Sequence, residues 1–162
     1  DLRQLFLMRN GRIEAELKSE LEATKGKTGY KIVEVEKEVA ADSLLQVITR
    51  PYRGKMVLVD MWNTWCGPCM RAMKGLKPLK EELKEEVYLY IVDETSPGKW
   101  KVMIPDIPGI HCRISNEQST ALAKLYEYPG IPTYFVVNRE GDISYKATGF
   151  PGVEMLRNEL TK

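Results

Sequence analysis

The amino-acid sequence predicts an α/β fold in which a mixed central sheet is covered by helices on both faces. Two short apolar runs, residues 56–61 and 87–92, flank a long stretch of helical periodicity, which is typical of buried parallel strands joined by a helix. A strand–turn–strand pattern over residues 131–148 follows, and a helical pattern ends the chain. Parallel strands early in the chain and a hairpin late in it together indicate a mixed sheet.

The composition is that of one globular domain with a full core. The 162 residues are 43% hydrophobic and 29% charged, which distinguishes the chain from a disordered one. A net charge of +1 gives no electrostatic reason to expect a nucleic acid as partner. No apolar run approaches the ~18 residues of a membrane span, so we expect membrane association only through parts outside this sequence. The sequence begins at Asp1 without a signal-peptide pattern, and we expect it to be a processed or truncated piece.

Residues 1–29 are predicted to form an N-terminal helical or linker segment, ahead of a domain that covers residues 30–162. Apolar residues recur there at helical spacing: Leu2, Leu5, Phe6, Ile13, Leu17 and Leu21. Gly11 is a candidate break in this pattern. A packing helix and the end of a preceding domain would both look this way, and both alternatives stay open.

The chain between this segment and the first apolar run is predicted to supply one strand and one helix. Apolar and charged residues alternate over residues 30–39, which predicts a strand. Helical spacing predicts a helix over residues 41–49, with Asp42 and Ser43 as candidate caps and Pro51 at its end.

Cys66 and Cys69 lie where the strand over residues 56–61 meets the next helix, in the stretch Trp65-Cys66-Gly67-Pro68-Cys69. A helix that begins at about Gly67 places Cys66 at its N-terminus, where free N–H groups and the helix dipole favour a thiolate. The first thiol of such a motif commonly titrates below the ordinary value of ~8.5. Cys69 lies one turn into the helix, shielded and close enough to attack a mixed disulfide on Cys66. The pattern predicts thiol–disulfide exchange.

These residues resemble the active-site motif of the thioredoxin superfamily. A second motif, Gly130-Ile131-Pro132-Thr133, is similar to the cis-proline signature of that superfamily. Gly54-Lys55 and Arg71-Ala72-Met73 extend the similarity to the extracytoplasmic TlpA/ResA-type thioredoxin-like proteins of bacteria, over roughly residues 40–162. The resemblance implies a thioredoxin-like fold.

An insertion is expected ahead of the cis-proline strand, because about 30 residues separate that strand from the one over residues 87–92. Ser96-Pro97 begins a short predicted helix, and residues 109–114 are a candidate extra strand. Ser115 and Gln118 form a capping-box pattern that opens a further helix. The TlpA/ResA resemblance implies an insertion at this point.

The resemblance assigns a catalytic role to Asp60, six residues before Cys66, where thioredoxin carries an internal acid. Burial would raise the pKa of this carboxyl, which could then take the proton of Cys69 as that thiol attacks. The basic partner that thioredoxin carries on the next strand is not evident, since the best-matching residue, Leu89, is apolar. An Asp60 that faces solvent at the strand end is the alternative.

The resemblance also implies a substrate-binding surface. Pro132 is expected to follow a cis peptide bond, to pack against the two sulfurs and, with the Ile131 backbone, to receive an extended substrate segment. Trp65 would flank the reactive sulfur from the other side. Gly67 and Pro68 complete the predicted substrate-binding residues. The same dipeptide is found in strongly reducing members of the superfamily such as thioredoxin, whose reduction potential is about −270 mV, and it therefore favours a reductant.

We therefore expect a thiol–disulfide oxidoreductase that reduces disulfides in other extracytoplasmic proteins through a Cys66–Cys69 dithiol/disulfide cycle. By resemblance, its partners are disulfide-containing proteins, with haem-site thiols of apocytochrome c among them, and an upstream thiol reductant in the bacterial periplasm. No cofactor is expected. A dithiol oxidant or isomerase on the same fold remains an alternative.

The alternative from a different functional class is a non-catalytic binding module whose cysteine pair is structural or binds a metal. Zinc would need two further ligands, and adjacent residues such as His111 and Cys112 reach one tetrahedral ion poorly. We therefore expect no metal, and we expect Cys112 to be free, buried and inert.

Overall fold

The computed structural model describes residues 1–12 and 28–162 and contains one six-stranded sheet. Its strands are β1 (Tyr30–Val33), β2 (Val57–Met61), β3 (Val87–Val92), β4 (Gly109–Arg113), β5 (Thr133–Val137) and β6 (Ile143–Thr148). Their order in the sheet is β1-β4-β3-β2-β5-β6. The first four are mutually parallel, while β5 runs antiparallel to both β2 and β6. This confirms the predicted α/β class and mixed sheet.

Helices cover both faces of the sheet. Residues 2–12 are helical (α1), and the other helices are α2 (Ala41–Thr49), α3 (Gly67–Glu82), α4 (Pro97–Met103), α5 (Asn116–Leu125) and α6 (Val153–Leu160). One face of the sheet packs against apolar residues of α3, α4 and α6, and the other against those of α2 and α5. Because β2 is buried on both faces, its side chains alternate between the two cores.

The N-terminal segment is described only in part. Helix α1 passes through Gly11, so the predicted break at that residue is wrong. The large apolar residues of α1, such as Leu5 and Phe6, are exposed. The predicted helical positions Ile13, Leu17 and Leu21 lie outside the described residues.

Two local predictions differ from the structure near β1. The strand predicted over residues 30–39 ends at Val33, because β4 supplies pairing partners only for residues 30–33. Helix α2 has the predicted bounds, but its N-cap is Ala40 without a side-chain cap. Ser43 Oγ instead donates back to the Ala40 carbonyl oxygen at 3.3 Å.

The predicted insertion is present between β3 and β5. It contains α4, a short 3₁₀ helix (Ile104–Asp106) and β4, which lies between β3 and β1 and widens the parallel part of the sheet. The capping box at the start of α5 is confirmed, since Ser115 and Gln118 each bind the other's backbone N–H at 3.0 Å. None of the described helices is long and apolar enough to cross a lipid bilayer.

Candidate active site

Cys66 and Cys69 form a disulfide at the start of α3, with their Cα atoms 5.3 Å apart. Cys66 is the N-cap of the helix, and its Sγ accepts a hydrogen bond from the Cys69 backbone N–H at 3.2 Å. Pro68 lies in the first turn, where the missing N–H breaks no intrahelical bond. Cys69 is fully buried, and Cys66 retains only 4% of its surface. The disulfide is therefore almost entirely buried.

Asn63 fixes the loop between β2 and α3. Its side-chain nitrogen donates to Asp93 Oδ1 at 3.0 Å and to Thr95 Oγ1 at 2.9 Å, and its Oδ1 accepts from the Thr64 N–H at 2.8 Å. Burial opposes the ionisation of Asp93, but hydrogen bonds from Thr95 and Asn63 hold the pKa of this carboxyl below its ordinary value. The loop that carries the disulfide is thus tied to the end of β3. Sequence reasoning missed Asn63, although its place just before the cysteine motif was a usable signal.

The Ile131–Pro132 peptide bond is cis, as predicted. Thr133 Oγ1 donates to the Gly130 carbonyl oxygen at 2.7 Å, and the Gly149 N–H donates to the Pro132 carbonyl oxygen at 2.8 Å, so the turn is held on both sides. Thr133 pairs with Met61, the last residue of β2, which places this turn at the same end of the sheet as the disulfide.

A pocket of about 330 Å³ lies next to the two motifs. Trp65, which is 64% exposed, lines it together with Gly130, Ile131 and residues of α5, whereas neither cysteine does. Gly67 and Pro68 are exposed at the start of α3, Ile131 is half-buried and Pro132 is buried. The structure therefore brings all the predicted substrate-binding residues to one end of the sheet.

Asp60 is buried in β2 and does not face solvent, so the alternative of an outward-facing carboxylate is wrong. It lies on the same face of β2 as Trp62, which packs in one core with both cysteines. Neither carboxylate oxygen has a hydrogen-bond partner among the described residues. Burial raises the pKa of Asp60 from 3.8 to about 7, and the charge of Lys80 opposes that rise.

Lys80 is the basic partner that the sequence did not reveal. It comes from α3 rather than from β3, where Leu89 packs on the opposite face of the sheet. Its Nζ donates to the Tyr90 hydroxyl at 2.7 Å and to the Pro108 carbonyl oxygen at 2.6 Å. Burial lowers the pKa of Lys80 to about 8, and the nearby charge of Asp60 opposes this shift.

Comparisons with known proteins agree with the fold and the cysteine motif described above. A model of the thioredoxin-like family matches residues 54–143, more than half of the sequence. The chain belongs to the thioredoxin-like family. It is 27% identical over 110 residues to the thiol-disulfide oxidoreductase ResA of Geobacillus kaustophilus, which covers 67% of this chain and 63% of that protein. The chain thus spans somewhat less than two thirds of this relative's length.

Two solved structures share the thioredoxin-like fold. The thioredoxin domain of a thiol-disulfide oxidoreductase from Bacteroides vulgatus superimposes with a TM-score of 0.59 at 20% identity, over 68% of this chain and 83% of that one. StoA from Bacillus subtilis gives a TM-score of 0.51 at 20% identity, over 70% of this chain and 87% of that one. At these identities the likeness concerns the fold alone.

In this thioredoxin-like protein His111 and Cys112 lie apart from the disulfide, in β4, which is separated from β2 by β3. Cys112 is free and buried, and burial, with a smaller effect of Glu34, raises the pKa of its thiol to about 12. Across residues 1–12 and 28–162, no three His, Cys, Asp or Glu side chains converge in a way that could hold a metal ion.

Proposed function

We propose that this protein is a thiol–disulfide oxidoreductase that reduces disulfides in other proteins through Cys66 and Cys69. The observation that carries the proposal is the Cys66–Cys69 disulfide at the N-terminus of α3, where Cys66 Sγ accepts the Cys69 N–H. After reduction, that N–H group and the helix dipole favour a thiolate on Cys66. The name thiol-disulfide oxidoreductase, which the ResA relative carries, supports the same reaction class.

The reaction proceeds in two exchanges. The Cys66 thiolate attacks one sulfur of a substrate disulfide, which releases one substrate thiolate and leaves a mixed disulfide on Cys66. Cys69 then loses its proton and attacks Cys66 Sγ, so that the second substrate thiolate leaves and the Cys66–Cys69 disulfide forms. An external thiol reductant returns the pair to the dithiol.

Asp60 is the proposed acceptor of the Cys69 proton. A base works best when its pKa lies near the working pH, and burial raises the pKa of Asp60 to about 7. Its place on the core face shared with Cys69 supports this role.

The substrate-binding surface in this proposal consists of Trp65, Gly67, Pro68, Ile131 and Pro132. The exposed indole of Trp65 and the half-buried Ile131 both line the pocket, and Gly67 and Pro68 are exposed next to Cys66 at the start of α3. A substrate segment that lies extended along Ile131 would bring its disulfide towards Cys66.

Location, partners and chain organisation belong to the same proposal. We place the protein in the bacterial periplasm or an equivalent extracytoplasmic space, with apocytochrome c thiols among its substrates, on the resemblance to TlpA/ResA-type proteins. The thioredoxin-like domain in this proposal covers residues 30–162, and residues 1–29 form a separate segment.

The reduction potential of the Cys66–Cys69 pair tests the proposal. The protein is equilibrated with glutathione and with dithiothreitol buffers, and Cys69→Ala, which cannot close the disulfide, is the control. A potential near or below about −250 mV together with reduction of insulin disulfides supports a reductant. A potential near about −120 mV reverses the electron flow and makes the protein an oxidant. If no reversible disulfide forms, the enzyme proposal fails and zinc analysis of the purified protein tests the binding module.

A further inference from the structure

We infer that a second pocket, which we call the Arg113 pocket, binds a carboxylate side chain of the substrate polypeptide a few residues from the substrate's disulfide. The inference rests on the proposed function, because it names a feature of the substrates that Cys66 and Cys69 would reduce. It assigns substrate selection to Arg113 and defines a preferred class of substrate, namely proteins with Asp or Glu a few residues from the reduced cysteine.

The Arg113 pocket has a volume of about 590 Å³ and lies at the carboxyl ends of three strands. Val33 ends β1, Arg113 ends β4 and Glu94 follows β3, and all three residues line the pocket. These strands run parallel to β2, whose carboxyl end leads to Cys66. Open α/β sheets commonly bind ligands outside the carboxyl ends of their strands. The Arg113 pocket and the disulfide therefore share one end of the sheet.

The side chain of Arg113 is held in place by two contacts. Arg113 pairs with Val92 of β3, so its side chain lies on the face of the sheet that α3 and α4 cover. Its Cζ is 5.5 Å from the centre of the Trp100 ring, and its Nη2 donates to the Glu94 carbonyl oxygen at 2.7 Å. Because these contacts orient the guanidinium before a ligand arrives, they lower the entropic cost of binding one.

Most hydrogen-bond donors of Arg113 have no partner. A guanidinium has five N–H groups, and the Glu94 carbonyl oxygen accepts one of them. Among the described residues no other acceptor and no ion pair holds Arg113, and its Nε is shielded from solvent without a partner. Polar groups left unpaired in this way are uncommon in folded proteins. A carboxylate is the ligand that suits such a group best, since its two oxygens can accept two parallel N–H groups of one guanidinium.

The charges that line the Arg113 pocket favour an anion. Lys101 of α4 lines it as well and is exposed, and no described residue forms an ion pair with this lysine. Lys37 and Glu94 neutralise each other, with Nζ and Oε1 3.1 Å apart. Glu34 is the other acidic residue in the lining. Arg113 and Lys101 together outweigh it, so the pocket carries a surplus of positive charge.

A polypeptide bound at the disulfide can reach the Arg113 pocket. The Trp62 N–H donates to the Ile91 carbonyl oxygen at 3.1 Å, so Trp62 lies beside the end of β3. Arg113 lies on the other side of β3, because it pairs with Val92. Neighbouring strands are ~4.8 Å apart, so about 10 Å separates the backbones of Arg113 and Trp62. Trp62 packs in the same core as Cys66. An extended chain advances ~3.3 Å per residue, so the carboxylate would lie about three to five residues from the substrate cysteine.

The insertion between β3 and β5 supplies the basic wall of the Arg113 pocket. Trp100 and Lys101 come from α4, and Arg113 comes from β4. Asp93 lines the pocket beside the disulfide, and its neighbour Glu94 lines the Arg113 pocket. The loop after β3 therefore separates the two pockets, and a polypeptide that lies over this loop would contact both.

Reduction rates with matched peptides test the inference. Each peptide carries one intramolecular disulfide and a pair of glutamates or glutamines about four residues from one cysteine, and versions with the pair on either side cover both chain directions. Reduced protein is mixed with oxidised peptide and stopped with acid, and each second-order rate constant is divided by that of dithiothreitol with the same peptide. We expect the wild type to reduce the glutamate peptide about fivefold faster than the glutamine peptide at low salt, and this advantage to shrink at high salt.

Substitutions decide whether Arg113 recognises the charge. Arg113→Gln should remove the preference for glutamate, and Arg113→Glu should reverse it in favour of a peptide with lysines at the same places, which a merely structural role of Arg113 would not produce. Glu34→Gln removes the opposing acid from an exposed position and should strengthen the preference about twofold, and it carries the test if neither Arg113 variant folds. Lys124→Gln, on α5 at the opposite face of the sheet, is the matched control for a lost positive charge and should keep the wild-type preference.

The possible outcomes separate this inference from the proposed function. Equal normalised rates for the glutamate and glutamine peptides in the wild type overturn the inference alone. A preference that persists in Arg113→Gln overturns it as well. The same holds if Lys124→Gln loses the preference to the same extent, because the charge is then recognised by the surface as a whole. A wild-type protein that reduces neither peptide overturns both this inference and the proposed function.

Discussion

The backbone N–H of Cys69 points at the sulfur of Cys66, and the two atoms are 3.2 Å apart. The same N–H and the dipole of α3 would stabilise a thiolate after reduction, so we predict a pKa of Cys66 below the ordinary ~8.5. The pH dependence of Cys66 alkylation by iodoacetamide, followed by mass spectrometry, measures this value. Cys112 is an internal control, since burial raises the pKa of its thiol to about 12 and it should stay unmodified in the folded protein. A midpoint at or above ~8.5 for Cys66 would contradict the prediction.

Replacement of Asp60 should change stability in a pH-dependent way. The folded protein raises the pKa of Asp60 from 3.8 to about 7, mainly by burial, so the folded state binds the extra proton between these values. Stability is therefore highest below the unfolded pKa and falls as the pH rises through the folded pKa, by up to about 4 kcal/mol. We expect Asp60→Asn to gain stability relative to the wild type between pH 4 and pH 8.

Urea unfolding of the oxidised wild type and Asp60→Asn at pH 4 and at pH 8 measures this difference in stability. Asp142→Asn, at an exposed position of the hairpin turn, controls for the removal of one acidic group. An Asp60→Asn variant whose stability relative to the wild type is the same at pH 4 and pH 8 would show that Asp60 ionises in the fold as it does in water.

Gln118 should contribute more to stability than its place in a capping box suggests. Besides its capping bonds with Ser115, its side-chain nitrogen donates to the carbonyl oxygens of Glu36 at 2.9 Å and Val39 at 3.0 Å. Gln118→Ala leaves these groups unpaired, and we expect a loss of about 2–4 kcal/mol. Chemical denaturation checks this, with the exposed Thr120→Ala on the same helix expected within about 0.5 kcal/mol of the wild type. Equal effects for the two variants would contradict the prediction.

Gly109 should not tolerate a side chain. Its φ is +138°, and an added Cβ would lie 2.7 Å from the Tyr88 carbonyl oxygen and 2.8 Å from the Tyr90 ring. We expect Gly109→Ala to destabilise the protein by about 2–4 kcal/mol, since it combines backbone strain with overpacking. Gly98→Ala is the matched control, because nothing lies within 4 Å of its Cβ position. Equal melting temperatures for Gly109→Ala and Gly98→Ala would refute this account.

Patterns local in sequence predicted most of the fold. The helix over residues 41–49 and the strand over residues 87–92 were predicted with their observed bounds, because apolar spacing along one segment fixes both. The strand predicted over residues 30–39 was too long, since its end depends on β4, a partner more than 70 residues away in sequence. Pairing of that kind is a property of the folded sheet and leaves little trace in the strand itself.

The candidate site was predictable where its residues lie in motifs. The positions of Cys66 and Cys69 and the cis bond before Pro132 follow from short motifs, whereas the functional roles of these residues remain predictions. Lys80 was missed because its proximity to Asp60 arises from the packing of α3 beneath the sheet. Leu89, the position that matched thioredoxin best, could not have carried the basic group, since its side chain packs in the core on the other face of the sheet.

The three tryptophans differ sharply in their surroundings. Trp62 and Trp100 are buried in the core, while Trp65 stands exposed beside the disulfide. Indole emission is sensitive to solvent and is quenched by nearby disulfides. The fluorescence of Trp65, and of Trp62 in the core that contains both cysteines, should therefore change when the Cys66–Cys69 bond opens, and that of Trp65 should change when a partner covers it. The native chain thus carries its own optical reporter of redox state and occupancy, and both can be followed without a label.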